Sequence, residues 1–233
     1  MAKRGLMFVE SRVRDPHKTS DELYNRFYNE EHLPHVIASG QPKIALRYKN
    51  VKEGAAVPYI ALYPVDDTSA IPSPTALEQM KYSSKSRILQ CDSYHELIYF
   101  NLRPYEKVQT YEARGRDGGE NGVRRGRTMC CIAIEPAEGH NGDFDAWYRN
   151  EHLGRLGIYE EFLRCTCYRR TDGQSPRFLM LYEFDCAPED FHVDRMTEAW
   201  ATERGLKILN EAKVYQQDVF ALIQVQGDMR LQL

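Results

Sequence analysis

Short apolar runs alternate along the first half of the chain with segments whose apolar residues recur at helical spacing. Runs rich in β-branched and aromatic residues predict strands, and apolar residues three or four apart predict helices. The predicted strands are 6–9, 43–49, 59–65 and 94–102. The predicted helices are 24–35, capped by Ser20 or Asp21, and about 75–89. The order is therefore β-α-β-β-α-β, which is that of a ferredoxin-like unit.

The second half of the chain repeats that order. Its predicted strands are 129–135, 165–170, 178–184 and 215–225, and its predicted helices are 144–159 and 195–212. The clearest repeat is the segment at 27–35, FYNEEHLPH, which returns at 147–155 as WYRNEHLGR, an offset of 120 residues. Tyr63 recurs as Tyr182 within one residue of the same offset. Internal repetition of this kind decides the architecture, and it predicts a tandem duplication.

The segment 114–126 separates the two copies and combines five glycines with charged residues, which is typical of a solvated linker. The predicted domains are therefore 1–113 and 127–233. A single ferredoxin-like unit leaves one face of its sheet bare, and an apolar sheet face has to be buried by something. We therefore expect an α+β fold in which the two βαββαβ repeats pack their sheets face to face. This arrangement is an intramolecular pseudo-dimeric α+β barrel.

The pattern F-Y-x-x-x-H-L-P at 27–34, together with its second copy, resembles the EthD-like branch of the dimeric α+β barrel superfamily. The second copy departs from the pattern, because Trp147 replaces the phenylalanine and Gly154 replaces the proline. The resemblance implies a barrel that acts in small-molecule pathways. Members of the superfamily include polyketide cyclases, decarboxylases, cofactor-free monooxygenases, isomerases and haem enzymes, so the fold does not fix the reaction.

Composition narrows the class of partner. The net charge of −3 gives no long-range attraction to nucleic acid. The first residues do not form a secretory signal, and no apolar run is long enough to cross a bilayer, so we expect a cytoplasmic protein without a membrane partner. We expect a monomer that is a pseudo-dimer, and a higher oligomer stays open. Fifteen tyrosines suit a pocket for an aromatic or polyketide-like substrate, although tyrosine is also a common strand residue.

The candidate catalytic residues are His32, Tyr28 and His152. Imidazole titrates near neutral pH and can take a proton from a phenol or an α-carbon and return it. On an α-helix Tyr24, Tyr28, His32 and His35 would form one stripe, with Tyr28 placed to orient His32 or to polarise a substrate carbonyl. The alternative is structural: both copies keep the histidine, which is also what support of the fold would require.

A second group of residues is predicted to contact substrate. In an extended strand His95 and Tyr99 would face the same way, and Arg155 could hold a carboxylate or an enolate. Glu31 and Glu151 are interpreted as solvated. The predicted substrate-binding residues are His35, Arg47, Tyr48, His95, Tyr148 and Arg155.

No cofactor or metal is predicted. The chain lacks the glycine-rich nucleotide motifs, the G-x-S-x-G motif and H-E-x-x-H, and its six cysteines lack paired zinc spacing. Together with the resemblance, this absence leads us to expect a cofactor-independent enzyme of secondary metabolism that uses His/Tyr acid–base chemistry for cyclisation, decarboxylation or dehydration. Two alternatives stay open: a haem- or oxygen-dependent oxidoreductase of the same superfamily, and a ligand-binding protein without turnover.

Overall fold

The computed structural model of this chain describes residues 2–40, 42–72, 84–113 and 124–233. The strands within those ranges are β1 (Gly5–Val13), β2 (Ile44–Asn50), β3 (Tyr59–Val65), β4 (Ile98–Glu112), β5 (Thr128–Glu135), β6 (Phe162–Arg170), β7 (Phe178–Phe184) and β8 (Val214–Gly227). The α-helices described are α1 (Asp21–Phe27), α2 (Leu33–Ala38), α3 (Asn141–Trp147), α4 (Leu153–Leu156), α5 (Val193–Trp200) and α6 (Glu203–Glu211). Two π-helical turns, Tyr28–His32 and Tyr148–His152, join α1 to α2 and α3 to α4.

The eight described strands are hydrogen-bonded in the closed order β1-β3-β2-β8-β5-β7-β6-β4. The mixed α+β class and the barrel expected from the sequence are therefore confirmed. Origin by duplication of a ferredoxin-like unit stays a prediction. The chain divides into two compact units. The first consists of Met1–Glu106 together with Ile223–Leu233, and the second is Lys107–Leu222. The domain boundaries around the 114–126 linker also stay a prediction, and residues 114–123 lie outside the described ranges.

In the first unit α1 and α2 pack on one face of the sheet in which β1 lies between β3 and β4. Ser20 caps α1, because its hydroxyl accepts a hydrogen bond from the Leu23 N–H at 3.1 Å. Alternate residues of β1, such as Met7 and Val9, join the core beneath the helices. Leu6 and Phe8 point to the opposite face and are also buried. Both faces of this sheet are therefore covered, which explains why β1 reads as a continuous apolar run.

In the second unit β5 lies between β7 and β8, and the helices pack a core rich in aromatic rings against this sheet. Trp147 and Trp200 have ring centroids 4.4 Å apart, and both are buried. The Trp147 indole N–H donates to the Thr202 hydroxyl at 3.1 Å. Thr202 also caps α6 by accepting from the Gly205 N–H. This contact locks α6 onto α3.

Three predicted elements are corrected. The helix expected at about 75–89 falls partly outside the described residues, and 84–90 form a bridge and a turn. The strand expected from residue 94 begins at Ile98, because Tyr94–Glu96 is a 3₁₀ turn. The helix expected at 195–212 is two helices, because the chain breaks at Ala201, where Thr202 starts a new cap.

Each π-helical turn changes which side chains face the sheet. The Leu33 N–H bonds to the Tyr28 carbonyl five residues back, and the Leu153 N–H bonds likewise to Tyr148. The additional residue rotates everything that follows by about 100° relative to a continuous α-helix. The predicted stripe is therefore wrong at its end, since His35 is exposed while Tyr24 is buried.

We predict that Gly205→Ala destabilises the second unit by about 1–3 kcal/mol, because overpacking a filled core costs that much. A Cβ at position 205 would lie 2.4 Å from the Trp200 carbonyl oxygen and 2.9 Å from the Trp147 ring. Gly154 in α4 is the matched control, because nothing lies within 4 Å of its Cβ position. Gly154→Ala should be neutral or stabilise by up to about 1 kcal/mol. Urea denaturation measures both, and equal effects would contradict this packing.

Candidate active site

The two histidines of the sequence repeat have different surroundings. His152 is fully buried and packs between Trp147 and Trp200, with centroid distances of 4.8 and 4.9 Å. Its Nδ1 lies 3.3 Å from the Ala199 carbonyl oxygen, and its Nε2 lies 3.0 Å from the Tyr182 hydroxyl. Both ring nitrogens are therefore engaged, which is the arrangement of a histidine that supports the fold.

His32 in the first unit lies among aromatic rings, and its ring nitrogens lack the hydrogen bonds that those of His152 make. It is only partly buried, and four aromatic side chains contact its ring, with centroid distances from 4.8 to 5.6 Å. These four are Phe27, Tyr28, Tyr94 and Phe100. Within the described part of the chain neither ring nitrogen of His32 has a hydrogen-bond partner. One nitrogen of the neutral imidazole can therefore accept a proton from a bound molecule.

One tyrosine hydroxyl accounts for much of the difference. Tyr63 and Tyr182 occupy matching places in the sequence repeat. The Tyr182 hydroxyl contacts His152, whereas the Tyr63 hydroxyl lies 3.0 Å from the Tyr28 hydroxyl. Tyr148, the counterpart of Tyr28, instead contacts the Cys165 thiol at 2.7 Å. In the first unit the Tyr28 and Tyr63 hydroxyls bond to each other, and neither bonds to the His32 nitrogens.

Burial and charge keep both histidines neutral. Burial, together with the electrostatic effect of the neighbouring His95 and Arg47 side chains, lowers the pKa of His32 to about 3. Burial lowers the pKa of His152 to about 4. Burial also raises the pKa of Tyr28 well above its usual value. At neutral pH the first unit therefore presents an uncharged imidazole beside a protonated phenol.

Glu31 has a structural role that the sequence interpretation missed. Its carboxylate accepts from the Ser86 hydroxyl at 2.8 Å and from the N–H groups of Arg87 and Ile88 at 3.0 and 3.2 Å. Partial burial opposes ionisation, but these bonds lower the pKa of Glu31 below its usual range. The interpretation of Glu31 as solvated is therefore wrong. The bonds hold the 86–91 turn against the π-helical turn that carries His32.

His95 reaches the same site by a route that the sequence did not predict. Because His95 lies in the 3₁₀ turn before β4, the prediction that His95 and Tyr99 share one face of an extended strand is wrong. Its ring instead contacts Tyr94 and Phe100, with centroid distances of 4.7 and 5.3 Å, and these two rings also contact His32. The Arg14 guanidinium donates to the His95 carbonyl at 2.9 Å and fixes the turn. His32 and His95 therefore share a pair of aromatic neighbours.

Arg47 is fully buried in the first unit. Its guanidinium lies 4.0 Å from the centroid of the Tyr28 ring, and it also lies over Tyr24 and Tyr59. It donates to the side-chain oxygens of Asn29 at 2.5 Å and Asn25 at 3.0 Å. Among the described residues no carboxylate forms an ion pair with it.

The other predicted contact residues lie away from this group or inside the core. His35 is exposed, Tyr48 is fully buried, and Tyr148 is buried in the second unit. Arg155 is exposed and donates to the Glu198 carbonyl at 2.9 Å. It lines a surface pocket of about 560 Å³ with Ile158 and Tyr159. The assignment of these residues to substrate binding stays a prediction.

Two general features bear on partners. Within the ranges that the structure describes, no three His, Cys, Asp or Glu side chains are grouped as metal ligands would be. No helix in the same ranges has the length and apolar composition needed to span a membrane.

Comparison with known proteins finds a relative in sequence. The chain is 25% identical over 199 residues to core atranone cluster protein 1 of Stachybotrys chlorohalonatus, covering 79% of this chain and 83% of that protein. No family model matches the chain. The similarity is to a protein that is named for the core atranone cluster.

Solved structures share the fold at low identity. Chlorite dismutase of Candidatus Nitrospira defluvii superposes with a TM-score of 0.61 at 11% identity, covering 96% of this chain and 92% of that one. An anthrone oxidase-like protein gives 0.56 at 11% identity, covering 97% and 94%. A candidate monooxygenase of Fusobacterium nucleatum gives 0.60 at 7% identity, covering 99% and 97%. These similarities show the fold alone, a closed α+β barrel, and no activity.

Residues that the sequence analysis missed complete the His32 site. Phe100, Tyr94 and Phe27 supply its ring contacts, and Tyr63 sets the state of Tyr28. The match of Tyr63 to Tyr182 in the repeat was a usable signal, because a buried hydroxyl needs a partner. The choice of partner was not visible in the sequence.

We predict that His152→Ala lowers the free energy of unfolding by about 3 kcal/mol at pH 7.5, through a cavity and an orphaned Tyr182 hydroxyl. The folded-state pKa of about 4 lies below the unfolded value. Unfolding therefore takes up a proton below about pH 6.5, and the wild type loses this stability as the pH falls towards 4. The gap between wild type and variant should narrow at pH 5 in urea denaturation. A gap that stays constant with pH would contradict the buried neutral state.

Proposed function

We propose that the chain is a cofactor-independent enzyme of secondary metabolism that acts on an aromatic or polyketide-like small molecule, with His32 as the general base. The observation that carries the proposal is that His32 is neutral and partly exposed, and has no hydrogen-bond partner among the described residues. His152, at the matching place in the repeat, has both nitrogens engaged. This contrast supports chemistry in the first unit and support of the fold in the second.

The ring cage suits the proposed substrate. Tyr94 and Phe100, which are only partly buried, offer ring faces and edges beside the imidazole, and aromatic rings pack favourably on one another. A phenol or an enolisable C–H placed there would give its proton to His32. The low pKa of free His32 keeps it unprotonated at neutral pH, and the anion formed next to it would stabilise the imidazolium. Return of the proton at another atom completes an isomerisation or a cyclisation, and its transfer to a departing hydroxyl group releases water in a dehydration.

Two observations of different kinds support the proposed role in secondary metabolism. The sequence relative is named for the core atranone cluster, and the F-Y-x-x-x-H-L-P pattern resembles the EthD-like branch. We therefore assign the chain to that branch, as a tandem duplication. We also propose that it acts in the cytoplasm as a single-chain pseudo-dimer, without a nucleic-acid or membrane partner.

We predict that His32→Ala lowers turnover by at least ~100-fold, the lower range for losing an acid–base group. The melting temperature should stay near that of the wild type, because the ring leaves no broken hydrogen bond behind. Purified protein is incubated in D₂O with a panel of phenolic and enolisable polyketide-like compounds. Mass spectrometry then follows products, released CO₂ and deuterium incorporation.

His152→Ala is the matched control for that experiment. It should lose stability, and its remaining folded fraction should keep turnover per folded molecule. The pH profile of kcat/KM should also show no fall near pH 6.5, because that profile reports the free enzyme. Turnover that survives His32→Ala, or a Soret band or stoichiometric iron in the purified protein, would overturn the proposal. The latter two would favour a haem- or oxygen-dependent oxidation.

A further inference from the structure

The buried charge of Arg47 is not explained by the chemistry proposed for His32. Arg47 has no exposed surface, and the side chains to which it donates, Asn25 and Asn29, are neutral amides. A buried charge is normally paired with an opposite one, because removal from water is costly. In the sequence repeat the position of Arg47 is taken by Cys167, so the second unit places no cation there. The charge belongs to the unit with the available histidine.

The geometry directs this charge at the His32 site. The guanidinium lies 4.0 Å from the Tyr28 ring centroid, and the same ring meets His32 edge-on with centroids 4.8 Å apart. Asp21 is not available to neutralise Arg47, because its carboxylate accepts from Tyr59 and pairs with Lys49. The other charged or titratable groups that act on His32 are His95, His35 and Glu31, and Glu31 is held by the 86–91 turn. The positive charge of Arg47 therefore lies behind the Tyr28 ring, and no described carboxylate pairs with it directly.

We propose that Arg47 makes the His32 site selective for acidic ligands, meaning small aromatic or enolic molecules that bind as anions. Arg47 is a positioning residue, because it acts through the Tyr28 ring and not by contact with the ligand. The inference rests on the proposed function in one respect, namely that ligand binds beside His32. It adds the class of substrate: a carboxylic acid, an acidic phenol or a β-dicarbonyl enol. The same charge would stabilise the enolate or phenolate that forms when His32 takes a proton.

The test uses two probes of the same shape, 2-naphthoate and 2-naphthamide, at pH 7.5. Binding is followed by the shift of the assigned His32 Cε1–H signal in NMR spectra, so that binding elsewhere is not counted. Wild-type protein should bind the carboxylate about tenfold more tightly than the amide, as expected for one charge acting across a partly buried site. Arg47→Met should remove this preference, and Arg47→Lys should keep most of it.

Asn29→Asp provides a variant that leaves Arg47 in place. Asn29 Oδ1 already lies 2.5 Å from the guanidinium, so a carboxylate there would pair with Arg47 without a change of shape. It should remove the preference for naphthoate and raise the pKa of His32 by about one pH unit, measured by the same NMR signal. A purely structural Arg47 would leave both quantities unchanged in this variant.

The outcomes separate this inference from the proposed function. Wild-type protein that binds both probes equally, or neither, overturns the inference, as does a preference that survives Arg47→Met and Asn29→Asp. If Arg47→Met fails to fold, Asn29→Asp decides alone. Turnover that survives His32→Ala would remove the proposed function, while selectivity that depends on Arg47 would still support the inference.

Discussion

The π-helical turn at Tyr28–His32 is the constraint on which the candidate site depends. A continuous α-helix would carry the residues after Tyr28 about 100° further round the axis. With the Leu33 N–H reaching back five residues, the His32 ring lies against Tyr28 and Phe27 and meets Phe100 of β4. The second unit has the same turn and places His152 in its core. The backbone therefore brings a histidine inward in both units, and the side chains around it decide its role.

A single hydroxyl separates the two roles. A tyrosine hydroxyl can donate only one hydrogen bond. The matching tyrosines use this hydroxyl differently, because Tyr182 bonds to His152 whereas Tyr63 bonds to Tyr28. In the second unit every polar atom of the histidine is satisfied, as a buried imidazole requires. In the first unit His32 is only partly buried, so water or a ligand can meet the unsatisfied nitrogen. Availability of the His32 nitrogen thus follows from incomplete burial together with the Tyr28–Tyr63 pair.

The surroundings of Arg47 cost stability in the same unit. Tyrosine ring faces and two amide oxygens stabilise a guanidinium, but less than a buried carboxylate partner would. Locally unfavourable arrangements of this kind concentrate at functional sites and are offset elsewhere in the fold. Here the fully covered sheet and the Ser20 cap provide that support. The site therefore combines the fixed positive charge of Arg47 with the uncharged imidazole of His32.

The sequence by itself determined most of the strands, its own internal repeat and the α+β barrel class, because these depend on local apolar periodicity and on the need to bury two sheet faces. It also identified His32, Tyr28 and Arg47 as candidates, since their residue types have few substitutes in acid–base and charge chemistry. Only the tertiary structure decided that the chain makes a π-helical turn, which exposes His35. It likewise decided that Glu31 bonds to a distant turn and that Tyr63 bonds to Tyr28. Those outcomes depend on which groups meet across the helix–sheet interface, and hydrogen-bond partners far apart in sequence leave no periodic signal in the chain.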